Sequence, residues 1–199
     1  MRKATIRLSA LLACGGVIAA LAMAVPAMAS AHEFTSTEAT TLEVVKNETQ
    51  VFKLVPSSSE AVECTTEKIV KGGAVPRGSF TTVEAEVAYS GCHAVHTALG
   101  TLSATVSNAQ YKFNANEYVS LLNEITINAS GLCTIKVKAQ SPLELVLYEP
   151  LSSGNMLINP QVDNIAWSKS GLCGSASGTE GTYKGTTEVH GPESELSWK

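Results

Sequence analysis

Apolar and polar side chains alternate along much of this chain with a period of two, and that rhythm restricts the fold more than any other feature. In Val83-Glu84-Ala85-Glu86-Val87-Ala88-Tyr89, the residues Val83, Ala85, Val87 and Tyr89 fall on one face and both glutamates on the other. Leu102, Ala104 and Val106 alternate with Ser103 and Thr105, and Leu143, Leu145 and Leu147 share a face. Shorter runs set Phe52 with Leu54, Ile125 with Ile127, and Ile165 with Trp167. Breakers punctuate these runs: Pro56-Ser57-Ser58-Ser59, Gly72-Gly73, Ser90-Gly91, Ser130-Gly131, Ser141-Pro142, Ser152-Ser153-Gly154, the stretch 174–181, and Gly191-Pro192. The pattern predicts a single all-β domain of about nine to eleven strands, an antiparallel β-sandwich with a barrel-like alternative, and not βαβ units. Residues 133–139 and 143–148, joined by Gln140-Ser141-Pro142, are the best hairpin candidate. Residues 114–122 are expected to form a short helical turn or a loop. The domain is expected over 32–191, with 192–199 as a short tail in which Leu196 and Trp198 have the phase to pair as a last strand.

The first residues have a different character. Arg2, Lys3 and Arg7 precede an apolar run from Leu8 to Val25, then Pro26-Ala27-Met28-Ala29-Ser30-Ala31. A charged start, an apolar middle and small residues at the cut are the parts of a secretory signal peptide, here residues 1–29, with cleavage after 29 or 31. An uncleaved membrane anchor is one alternative reading, and lipidation at Cys14 another. Removing Arg2, Lys3 and Arg7 from 14 basic residues leaves 11 against 18 acids. That balance disfavours a nucleic-acid partner, which needs clustered Lys and Arg, and suits a secreted, extracellular or cell-surface protein. Asp163 is the single aspartate, which argues against a dedicated calcium loop.

Four cysteines follow the leader: Cys64, Cys92, Cys133 and Cys173. An even number in an exported chain reads as disulfides, and no Cys-x-x-Cys points to redox or zinc chemistry. Cys133 shares a strand face with Ile135, Val137 and Ala139, and Cys64 with Val62, so both are expected to face the core. Three pairings are possible. The sequential one, Cys64 with Cys92 and Cys133 with Cys173, is favoured because each bridge closes a moderate loop. Ser-Gly-Leu-Cys occurs at 130–133 and again at 170–173, a recurrent turn feeding a cysteine.

No catalytic signature is present: the chain has neither Gly-x-Ser-x-Gly nor His-Glu-x-x-His. His93 and His96 are spaced so that a strand would point them to opposite faces, and they read as surface histidines rather than metal ligands. His32, close to the expected new N-terminus, is a possible adventitious copper ligand only if the cut follows Ala31. Glu84 and Glu86 lie about 7 Å apart along a strand, a spacing open to glycosidase chemistry, but they read as a solvent face. Trp167, Trp198, Tyr118, Tyr148 and Tyr183 are available for a sugar-binding face, although Trp167 is in phase with Ile165 and is expected in the core. The glycine-rich stretch 174–181 lacks the lysine and the following helix of a phosphate loop. No cofactor is expected.

The order Val62-Glu63-Cys64, Tyr89-Ser90-Gly91-Cys92, Tyr111-Lys112-Phe113, Cys133-Thr134-Ile135-Lys136-Val137, Cys173 and Gly181-Thr182-Tyr183-Lys184-Gly185, behind a signal peptide, resembles a group of uncharacterised exported proteins of soil actinobacteria. The resemblance covers most of 40–191. That group commonly carries six cysteines; the places of the other two fall at Ala109 and Val119 here. Their joint loss implies that they are partners, which supports sequential pairing of the remaining four. The group carries no known activity and supplies no functional residues. The expected function is therefore a non-enzymatic structural or adhesive module of the envelope or surface, with an extracellular carbohydrate or small-ligand binding module as the alternative.

Overall fold

The computed structural model describes residues 32–199. The signal segment and Cys14 lie outside the described residues. Among the described residues the fold is all-β and antiparallel, with nineteen strands. They are β1 (Phe34–Ser36), β2 (Thr40–Thr41), β3 (Glu43–Asn47), β4 (Gln50–Lys53), β5 (Ala61–Gly72), β6 (Ala74–Val75), β7 (Gly78–Phe80), β8 (Thr82–His96), β9 (Gly100–Val106) and β10 (Ala109–Asn114). The chain continues with β11 (Tyr118–Leu121), β12 (Ile125–Ala129), β13 (Cys133–Val137), β14 (Gln140–Glu144), β15 (Val146–Pro150), β16 (Met156–Gly171), β17 (Ala176–Lys184), β18 (Thr187–His190) and β19 (Leu196–Trp198). The count exceeds the expected nine to eleven because several strands are only two or three residues long, too short to display a period.

Hydrogen bonding runs from β9 through β12, β13, β16, β17, β4 and β5 to β8, and β8 pairs back onto β9. Ring closure leaves these strands without a free edge, the barrel-like form of the expected architecture. Three strands, β5, β8 and β16, are long enough to serve two halves of the molecule. Beyond the ring, β10, β11 and β14 continue from the first half of β8, and β15, β18 and β3 flank the first half of β16. Leu145 and Gln161 exchange backbone hydrogen bonds and tie the β14–β15 connection to β16. Between β3 and β5 the Asn47 amide acts as a clasp: Nδ2 donates to the Thr65 carbonyl at 3.0 Å and Oδ1 accepts from the Glu67 amide at 3.3 Å.

Each long strand reverses its inward face midway. On β8 the inward residues are Val83, Ala85, Val87 and Tyr89, then Cys92 and Ala94. On β5 they are Val62 and Cys64, then Glu67 and Ile69, with Thr65 and Thr66 both exposed. On β16 they are Met156 and Val162, then Ile165 and Trp167, with Asp163 and Asn164 exposed between. Gly91 at φ 63° and Asn164 at φ 60° supply the left-handed backbone for two of the reversals. The Ser90-Gly91 breaker is thus no strand end. It flips the side chains of a strand that runs on to His96.

Other expectations are corrected. Residues 114–122 form no helical turn: β10 and β11 pair there, joined by a tight turn with Glu117 at φ 64°. The hairpin expected between 133–139 and 143–148 is not made, since β13 pairs with β12 and β16 while β14 pairs with β11. Leu143, Leu145 and Leu147 do not share a face. Leu143, Val146 and Tyr148 are buried, while Leu145 and Leu147 are exposed, because the chain changes phase where Leu145 leaves β14 to pair with Gln161. Residues 192–199 take the alternative form offered for them, a last strand at Leu196 and Trp198: β19 pairs with β1, setting Trp198 opposite Phe34.

Candidate ligand-binding cavity

The structure joins Cys64 to Cys92 (S–S 2.09 Å) and Cys133 to Cys173 (S–S 1.93 Å). Cys64 and Cys92 are direct cross-strand partners on β5 and β8, so the first bridge rivets the reversal. The second joins the start of β13 to the chain just beyond β16. The two Ser-Gly-Leu-Cys segments meet there, with the Leu172 amide bonded to the Leu132 carbonyl at 2.8 Å. The disulfides share this half of the interior with Leu54, Val62, Ala94, Ala129, Ile135 and Trp167. At its edge Glu60 holds two partners, His96 Nε2 at 3.1 Å and Lys169 Nζ at 2.9 Å. Burial raises the Glu60 carboxyl, but Lys169 and His96 outweigh it and hold the group below its ordinary value.

The residues weighed for chemistry on sequence grounds are dispersed. His93 pairs with Glu63 and His96 with Glu60, so the two imidazoles face different carboxylates. His32 stacks on Trp198 with ring centroids 4.8 Å apart. Glu84 is exposed beside Lys112 at 3.3 Å, and Glu86 accepts from Asn108 Nδ2 at 2.7 Å. Trp167 and Tyr148 are buried in the core, and Tyr183 lines the interior. The stretch 174–181 largely joins β17. Among the described residues no group of three or more His, Cys, Asp and Glu is placed to hold a metal ion.

The first half of the molecule contains a cavity of about 140 Å³. Its walls are apolar: Val83, Ala85 and Val87 from β8, Phe113 from β10, Leu121 from β11, Val146 and Tyr148 from β15, Met156 and Val162 from β16. Phe34, Phe80 and Leu196 from β1, β7 and β19 also line it. The ring of Phe34 meets Tyr148 edge-on at 4.8 Å and Phe80 at 5.6 Å. Phe34, Phe80 and Tyr148 thereby form an aromatic wall of the cavity. From Val83 to Tyr89 the inward face of β8 runs about 20 Å. At the far end, where the phase reverses, the lining becomes polar.

Five side chains converge there. Thr187 Oγ1 donates to Glu67 Oε2. Gln50 Nε2 donates to Thr187 Oγ1 at 3.3 Å and to the Glu48 carbonyl at 3.0 Å. Tyr183 donates its hydroxyl to Gln50 Oε1. Tyr89 completes the group, with its hydroxyl 3.4 Å from that of Tyr183 and 2.9 Å from that of Tyr111, which extends the chain to β10. Gln50 and Thr187 are buried, and Glu67, Tyr89, Tyr111 and Tyr183 all line the cavity. Burial pushes the Glu67 carboxyl up, opposed by the Thr187 hydrogen bond. Burial also lifts Tyr89, Tyr111 and Tyr183 well above the usual phenol range, with the charge of Glu67 adding to it, so all three stay neutral. The six ion pairs among the described residues all lie elsewhere, leaving Glu67 without a cationic partner.

Two signals in the sequence lead to this cluster. Tyr89 is in phase with Val83, Ala85 and Val87, and Glu67 is in phase with Ile69. Gln50 and Thr187 carry no such signal, because their burial comes from strand partners distant in sequence. No protein-family model, no curated protein and no solved structure matches the chain.

Proposed function

We propose that this protein is an exported, non-catalytic binding module that holds a small, mainly apolar molecule in this cavity. The observation that carries the reading is the apolar cavity of about 140 Å³ ending in a buried polar cluster. A concave apolar chamber with a few convergent polar groups is the usual anatomy of a small-ligand site. Its size approaches the roughly 150 Å³ at which an apolar protein cavity takes up benzene or xenon. The aromatic side chains support an internal ligand over a sugar laid on a sheet face: Trp167 and Tyr148 are in the core, and Tyr89, Tyr111 and Tyr183 line the interior.

Export fits the same reading. Two disulfides persist in an oxidising compartment, and the leader-like segment at residues 1–29 and the resemblance to exported actinobacterial proteins agree with a secreted or surface-held module. The test is a titration of the purified protein with toluene, followed by nuclear magnetic resonance of the methyl groups of Val87 and Val146. Saturable shifts confined to the cavity are expected, and Ala85→Leu, which grows a side chain into the chamber, weakens them. No saturable shift, or equal binding by the variant, refutes the reading.

A further inference from the structure

Glu67 is a carboxyl placed inside the molecule with acceptor capacity to spare. One proton per hydroxyl fixes the direction of the tyrosine chain. Tyr183 gives its proton to Gln50 Oε1, so its oxygen accepts from Tyr89, and Tyr89 in turn accepts from Tyr111. Thr187 spends its proton on Glu67 Oε2, and Gln50 Nε2 spends its two on Thr187 and the Glu48 carbonyl. Every phenol, hydroxyl and amide proton of the cluster is committed. What remains is acceptor once Glu67 is ionised, as an arriving cation makes it by displacing the carboxyl proton to solvent: Oε1 of Glu67, which no hydrogen bond among the described residues reaches, and the oxygen of Tyr111.

The complement of such a surface is a group that donates and does not accept. An ammonium has three donors, no acceptor and the positive charge that Glu67 lacks nearby. Tyrosine ring faces also attract cations. A carboxylate ligand would set two negative charges together in a low-dielectric space, and a plain hydrocarbon would leave Oε1 unanswered. We propose that the cavity takes a small amphiphilic amine, its ammonium against Glu67 among Tyr89, Tyr111 and Tyr183 and its hydrocarbon body beside Val87 and Phe113. The assignment rests on the ligand-binding reading above and narrows its ligand to one chemical class.

Calorimetric titration with benzylamine, benzyl alcohol and toluene separates the two. Wild-type protein is expected to bind benzylamine about tenfold or more tightly than benzyl alcohol, since hydrogen bonds to an ionised partner are roughly twice as strong as neutral ones. Glu67→Gln keeps the side-chain shape and an oxygen for Thr187; it is expected to lose the preference for benzylamine over benzyl alcohol. Equal or tighter binding of benzyl alcohol by the wild type overturns the amine assignment and leaves the cavity reading standing, as does a preference that survives in Glu67→Gln. Failure of all three compounds, toluene included, overturns the cavity reading itself.

Discussion

Replacing Gly91 by alanine tests the mid-strand reversal on which the cavity depends. Gly91 sits at φ 63°, and a Cβ added to its backbone would overlap Thr65 Oγ1 on the neighbouring strand. Two costs follow. Left-handed backbone costs a residue with a Cβ about 1–2 kcal/mol, and the overlap with Thr65 adds about 1–3 kcal/mol as for other overpacked sites. Gly91→Ala is therefore expected to destabilise by about 2–5 kcal/mol, a fall in Tm of roughly 4–20 °C for a domain of this size. The two terms separate in a mutant cycle. Thr65→Ala removes the overlap and leaves the backbone cost, so the double variant should lie only about 1–2 kcal/mol below Thr65→Ala alone. Thermal unfolding followed by circular dichroism under non-reducing conditions measures all four proteins. A Gly91→Ala protein that melts with the wild type, or a double variant with no recovery, refutes the assignment of Gly91 as the pivot that turns Tyr89 and Cys92 to the same interior.

Further outcomes follow from the bonds and charges described. The Cys133 to Cys173 bridge spans 40 residues, so Cys133→Ala/Cys173→Ala should cost about 4 kcal/mol by loop entropy, measurable by urea unfolding. Tyr183→Phe leaves Gln50 Oε1 buried without its donor and should cost about 1–3 kcal/mol in the same assay. Glu67→Gln should stabilise the protein increasingly as pH rises. Because the folded carboxyl titrates above its ordinary value, the native state keeps a proton that the unfolded chain has lost, and wild-type stability falls as pH climbs from the ordinary carboxylate range to the raised value. A Tm difference between variant and wild type that is flat from pH 4 to pH 8 contradicts this. Acid loss at Glu60 has the opposite sign and appears in both proteins, since its lowered carboxyl contributes stability that disappears only as pH falls through the folded value.

Much of the fold was legible because one face of most strands meets the interior. Val83, Ala85, Val87 and Tyr89 sit inward and Glu84 outward as their alternation implies, and Trp167 is in the core with Ile165. What alternation alone cannot convey is a change of phase within a strand. Ser90-Gly91 reads as a turn in any local scan, and Asp163-Asn164 carries no period, yet both lie inside strands that continue. Ring closure is likewise non-local: β8 bonds to β9 beyond Gly91 and to β10 before it, a division of one strand between two neighbours that appears only once the pairing is known. The same holds for the polar cluster. Glu67 shares the phase of Ile69 but carries the charge of a solvated residue among threonine and lysine, and Thr187 and Gln50 reach it from β18 and β4 with no local signal.

Pressurising a crystal of the protein with xenon addresses the apolar cavity most directly. The account predicts one well-occupied xenon site inside the cavity, in contact with Val87, Phe113 and Val146 and clear of the Glu67 carboxyl. An interior with no xenon, its volume filled by those same side chains, would contradict it.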